Sequence, residues 1–103
     1  MQTAEDIKLL NEKIAEKYVT TSGIFPNPAS THFTLQMNAA KDFTGKILVM
    51  NISGKIIYQR SNSFTKGYKE ILLPLDGLSS GTYVTAIYNS DNVLIAVHTV
   101  VKQ

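Results

Sequence analysis

The sequence predicts a mainly β fold, a small sandwich of antiparallel strands behind one short helix. Three observations carry that expectation. At Gly23 the spacing of apolar residues changes from the three-and-four interval of a helix to the two-residue alternation of a strand. Beyond it, turn-forming residues return about every 8–12 positions, the rhythm of short strands in all-β domains. Nowhere between them is there room for the crossovers of roughly a dozen residues that parallel pairing demands.

Residues 1–18 read as the helix: Ile7, Leu10, Ile14 and Tyr18 share one stripe, and Lys8, Glu12, Lys13 and Glu16 fall largely elsewhere. Thr3 and Asp6 resemble a capping box, with Glu5 and Asp6 near the positive end of the helix dipole and Lys17 near the negative end. Thr20, Thr21, Ser22 and Gly23 end the pattern. A helix this short is marginal alone and needs a surface for its stripe; it reads as a structural cap or the end of an upstream domain. Residues 1–23 are therefore set apart as helix and linker, and residues 24–103 as the β domain.

Within the β domain, Phe33, Leu35 and Met37 alternate with His32, Thr34 and Gln36 as a half-buried strand. Lys46 to Ile52 is a nearly continuous apolar run suited to a central strand, with Ile47 and Val49 as core contacts. Ser53-Gly54 makes a tight turn, and Lys55 to Arg60 returns with Ile56, Ile57 and Tyr58, the clearest hairpin in the chain. Asn62 to Tyr68 reads as a mobile loop. Glu70 to Leu73 is a short strand stopped by Pro74, which cannot donate to a ladder. Gly81 opens a strand from Thr82 to Tyr88 with Tyr83, Thr85 and Ile87 on one face. Asn89 to Asn92 is a polar turn, and Val93 to Val101 is the last strand. The economical closure of these six or seven strands is two antiparallel sheets face to face, of immunoglobulin-like type. A closed small barrel is the alternative.

Composition narrows the function classes. Hydrophobic residues at 44% and charged residues at 17% suit a folded domain. Ten Lys and Arg against eight Asp and Glu give a net charge of +2, too small to argue for nucleic acid or an anionic membrane. Cysteine is absent, which excludes a disulfide scaffold, a thiolate metal site and a cysteine nucleophile. No apolar run approaches the roughly 20 residues of a membrane-spanning helix. Glu5 and Asp6 do not suit a signal peptide, so an exported protein would carry its export signal upstream of this sequence or elsewhere in it.

No constellation points to catalysis, a metal or a cofactor. His32 and His98 are far apart and neither sits in a zinc-ligand spacing. Asp42, Glu70, Asp76 and Asp91 fall in or beside turns and strand ends. There is no nucleophile elbow, and Gly45, Gly54, Gly67, Gly77 and Gly81 are spaced as turn residues, unlike a phosphate cradle. A binding role is harder to dismiss. Tyrosine rings can line a sugar- or protein-binding surface, and alternation places Tyr83 inside, leaving Tyr58, Tyr68 and Tyr88 as surface platforms. A non-catalytic carbohydrate- or protein-binding module and a plain structural spacer are thus both open.

Four blocks then become recognisable in order: Phe25-Pro26-Asn27-Pro28-Ala29 with the strand at Phe33; Ile52-Ser53-Gly54-Lys55-Ile56-Ile57; Leu75-Asp76-Gly77-Leu78-Ser79-Ser80-Gly81-Thr82-Tyr83; and Val100-Val101-Lys102-Gln103. From about Ile24 to Gln103 the chain resembles the type IX secretion C-terminal sorting domain of Bacteroidota. The resemblance implies an immunoglobulin-like sandwich that carries an upstream cargo protein and catalyses nothing itself. It implies passage through the periplasm and recognition by the type IX outer-membrane translocon. It also implies removal by a sortase-like protease, with the cargo secreted or left on the cell surface.

Each motif residue can be given a role. Pro26 and Pro28 fix φ on either side of Asn27, so this stretch is stiff and holds an upstream cleavage segment off the body. Gly54 serves the hairpin turn, and Gly77 lies in the third block. Gly81 turns the chain before Tyr83, whose ring fills the sandwich while its hydroxyl reaches a polar partner. Val100, Val101 and Lys102 end a strand that a receptor reads by its main chain and its one charge. Two departures stand out: His98 sits where the family commonly has a basic residue, and the helix before Ile24 matches nothing in the family pattern. The cleavage bond is expected between Tyr18 and Gly23, in an accessible run of small polar residues.

Overall fold

The computed structural model describes residues 18–103, which hold seven strands and no helix. Strands β1 (Val19–Phe25), β2 (His32–Ala39) and β5 (Gly67–Pro74) form one antiparallel sheet in the order β1-β2-β5. Strands β3 (Phe43–Asn51), β4 (Ile56–Phe64), β6 (Gly81–Asn89) and β7 (Leu94–Lys102) form the other, in the order β4-β3-β6-β7. The alternation read in β2 is real: Phe33, Leu35 and Met37 are buried and meet Leu73 of β5 on the inner face. From the second sheet Ile47, Val49, Tyr83, Ile87 and Val100 enter the same core. Fully burying each such side chain stabilises the body by about 1.5–3 kcal/mol, so the two sheets are held chiefly by this layer.

Two expectations are corrected. Thr20 to Gly23 do not form a linker; they lie in β1, paired with β2 from Val19↔Ala39 to Phe25↔Thr34. Threonine is a strand former, and Thr20 exchanges side-chain hydrogen bonds with Asn38, donating to its carbonyl at 3.2 Å and accepting from its amide at 2.8 Å. Residues 1–17 of the expected helix lie outside the described residues. Its last position, Tyr18, stands in a turn, with its ring edge-on to Phe43 at 5.2 Å and Lys41 over its face at 4.2 Å.

The second correction concerns Asn62 to Tyr68, which is the end of β4 and the start of β5 with two residues between. Phe64 is buried and stacked on Phe43 at 4.6 Å, and the Lys66 N–H donates to Asp42 Oδ1 at 2.7 Å, so this crossing between sheets is pinned at both sides. Its polar sequence reflects exposed positions of paired strands, Ser61 and Ser63 among them.

The hairpins β3–β4 and β6–β7 share one turn device that the sequence reading missed. Asn51 Oδ1 accepts from the N–H groups of Ser53 and Lys55, as Asn89 Oδ1 does from Asp91 and Val93. In both, the residue three places on has positive φ, 88° at Gly54 and 62° at Asn92, and donates to the asparagine carbonyl at 3.0 Å. Glycine and asparagine are the residues that tolerate this conformation best.

Gly45 has a different reason. It faces Asn89 across the β3–β6 ladder, and a Cβ there would run into the carbonyl oxygen of Tyr88, a backbone atom that cannot swing aside. Gly45→Ala is expected to cost about 1–3 kcal/mol through overpacking. Urea unfolding of the two forms measures it.

Candidate functional site

The strand registers bring the scattered motifs to one end of the two-sheet body. Gly81 pairs with Lys102, Tyr83 with both Val100 and Asn51, and Ala29 bridges to Lys102. The β3–β4 turn with Gly54, the Leu75–Gly81 loop with Gly77 (φ 81°), and the Pro-Asn-Pro stretch therefore share that end with the close of β7. Tyr18, Phe43, Phe64 and the Asn89 turn mark the other.

β7 is an edge strand, and its outer side near the motif end is covered. Val101 N–H donates to Asn27 Oδ1 at 2.9 Å, and Asn27 Nδ2 donates to the Thr99 carbonyl at 3.2 Å. Ala29 N–H donates to the Val101 carbonyl at 2.7 Å, and Gln103 N–H to the Ala29 carbonyl at 2.8 Å. Proline offers no N–H, so between Pro26 and Pro28 the side chain of Asn27 supplies the rung the main chain lacks; a carboxamide has the donor and acceptor of a peptide group. The Pro-Asn-Pro stretch thus clasps β7, and the segment it is expected to hold off the body, Val19–Phe25, is β1, paired with β2. Val100 turns inward and is fully buried, Val101 is exposed, and Lys102 is half-buried. In the folded domain only Val101 and Lys102 of that trio present side chains to a partner.

Tyr83 does what its sequence position implies. Its ring is buried in the core and its hydroxyl donates to the Ser79 carbonyl at 2.6 Å, tying the loop to β6. Gly81, with φ of 153°, lies between the two bonded residues. Leu75 anchors the other side of this loop: it is fully buried, and its N–H donates to the Thr31 carbonyl at 2.7 Å.

His98 is half-buried on β7, with Nε2 at 2.8 Å from Ser22 Oγ of β1, a tie between the two sheets. Burial pushes its imidazole below the ordinary value of 6.5. His32 lies on β2 beside Thr31, with Nδ1 at 3.0 Å from the threonine hydroxyl. Among the described residues no group of His, Asp and Glu is arranged to hold a metal ion. The tyrosines do not assemble a platform. Tyr58 packs on the core and Tyr88 is half-buried on the outer side of β6 near Lys46. Tyr68 is exposed on the other sheet, donating to Glu70 at 2.8 Å and accepting from Gln36 at 2.9 Å. The bond to Glu70 holds its phenol above the usual range.

Comparison with protein families gives one match that spans the clasp, the turns and the close of β7. The model of the secretion system C-terminal sorting domain matches residues 23–103. The chain belongs to that family. Its members are sorting signals of type IX secretion, so the sorting domain implies a cargo protein, the type IX machinery, and export to the medium or the cell surface. None of the curated proteins compared with the chain matches it. Residues whose bonding roles sequence reasoning did not assign are Ser22, Ala29, Asn51 and Asn89, because those roles depend on partners brought close by folding.

Two expectations follow for the sorting domain. Tyr83→Phe removes one hydrogen bond from a buried site and should cost about 1 kcal/mol in urea unfolding. His98 has a folded pKa below its unfolded one, so its contribution is fully present above about 6.5 and is lost as pH falls through the folded value. The melting temperature should therefore drop between pH 7.5 and 5.5, and His98→Gln should reduce that drop.

Proposed function

We propose that the motif-bearing end of the domain is the face the type IX translocon reads, and that the domain adopts an immunoglobulin-like sandwich to display it. The observation that carries this is the convergence of all four family blocks on one end, opposite Tyr18. Exposed apolar side chains gather there as well: Ile52 at 79%, Ile56 at 49%, and Phe25 and Val101 at 42% each. Exposed apolar side chains at one end suit a protein interface. The immunoglobulin-like reading is supported by the sheet orders and by Tyr83, which bonds four residues upstream in the manner of a tyrosine corner.

In this reading the domain crosses the periplasm behind its cargo and is engaged at the outer membrane. A sortase-like protease then detaches it, with the domain as substrate of that chemistry. The bond cut lies on the Tyr18 side of β1, since Val19 to Gly23 are held in a ladder and a protease needs an unpaired chain.

A reporter protein fused ahead of the domain tests the reading in a host with type IX secretion. Ile52→Asp with Ile56→Asp changes two exposed positions and should leave stability within about 0.5 kcal/mol, yet lower the surface-borne reporter about tenfold or more. Tyr68→Ala, exposed at the far end, should be delivered normally. Equal delivery of both variants, with folding intact, would remove the motif end as the recognised face.

A further inference from the structure

The outer edge of β7 has a second reading. Val101 directs both main-chain groups away from β6, so by alternation Thr99 and Val97 point theirs the same way. An edge of this kind is a template for an added strand unless something covers it. Over Thr99–Gln103 the cover is Asn27 and Ala29, joined to β7 by one isolated parallel bridge and the side chain of Asn27. Pro26, Asn27, Pro28 and Ser30 are exposed, and the one buried side chain of the stretch is the methyl of Ala29. The cover is therefore a surface strap, with a small foothold and the fewest donors an extended segment can have.

We propose that this edge is a strand-addition site filled in cis by Asn27–Ala29. Its partner in export is an extended segment of the outer-membrane machinery that displaces the strap and runs parallel to β7. The proposal rests on the sorting-signal reading and specifies the chemistry by which that signal is read. A full strand offers a main-chain donor and acceptor at every second residue. It remakes the bonds lost at Thr99, Val101 and Gln103, and reaches Val97 as well. The exchange then breaks and forms bonds of the same kind in the same place, which keeps displacement from being uphill. Specificity comes from the parallel direction and from the exposed side chains of Val97 and Val101 on either side of Thr99.

The test uses the full chain and, as a probe, a fluorescent synthetic peptide of residues 24–30, the strap itself supplied in trans. Asn27→Ala removes both side-chain bonds. It should speed amide exchange at Val101 while Val100 and Lys102, which face β6, stay protected. The opened chain should bind the peptide at least about tenfold more tightly than the unaltered one, because the competent state is no longer rare, and the peptide should slow exchange at Val101 again. Equal binding by both chains, or none by a chain whose exchange shows an open edge, overturns the proposal. In the export assay, Val101→Pro deletes the outward N–H and no bond to β6, so a chain that still melts cooperatively should fail to deliver the reporter. Normal delivery of that folded variant overturns the proposal; if it does not fold, the peptide measurement decides. A reporter that the unaltered chain does not deliver would instead defeat the sorting-signal reading.

Discussion

Backbone donors and acceptors in a sheet must be paired or left to water, and a body of two open sheets has four edge strands where that rule is hardest to keep. Here those edges are β1, β5, β4 and β7. The chain meets the constraint unevenly. β7 is covered near Lys102 by a stretch that belongs to neither sheet, and β1 is tied to β7 through Ser22 and His98. The two-proline stretch is thereby the seam of the molecule. It leaves the first sheet at Phe25 and closes the second at Gln103, and the carboxamide of Asn27 completes what prolines cannot.

That seam explains why the motifs read in the sequence are spread along the chain yet close in space. The Pro-Asn-Pro block and the final Val-Val-Lys block are two sides of one contact, bridging 74 positions between Asn27 and Val101. The block ending in Tyr83 fixes the β6 strand against which β7 lies, and the hydroxyl of Tyr83 holds the loop that precedes it. The Gly54 turn joins them because Asn51 is opposite Tyr83 across the ladder. One half of the body carries these motifs, and the other half holds the aromatic packing among Tyr18, Phe43 and Phe64.

Much of this was legible in the residues, for physical reasons that differ by element. β2 and β6 announced themselves because one face of each is buried and side chains alternate with a period of two. Ile47 and Val49 stood out within a central strand, apolar because it is paired on both sides. β1 did not, since five of its seven residues are Thr, Ser, Gly or a single terminal Val, and its pairing with β2 does not depend on an apolar stripe. The end of β4 failed for the same reason: Ser61, Asn62 and Ser63 look like a loop, and it is their pairing with β3 and the burial of Phe64 that show the strand continuing. The role of Asn27 was hidden altogether, because a side chain standing in for a peptide group is recognised only when its partner is known.

The seven residues of β1 run the length of the first sheet, about 23 Å at the usual rise, from Tyr18 at one pole to Phe25 at the other. Tyr18, where the described residues begin, stands at the pole opposite the motifs. On the proposed reading, a cargo joined ahead of Tyr18 enters the body at the pole away from the recognised end, as a parcel hangs from the far side of its label. It also sets how tension is borne. A pull on Tyr18 resisted at the motif pole acts lengthwise along the β1–β2 ladder and loads its rungs together in shear, the direction in which a ladder resists most, instead of unzipping them singly.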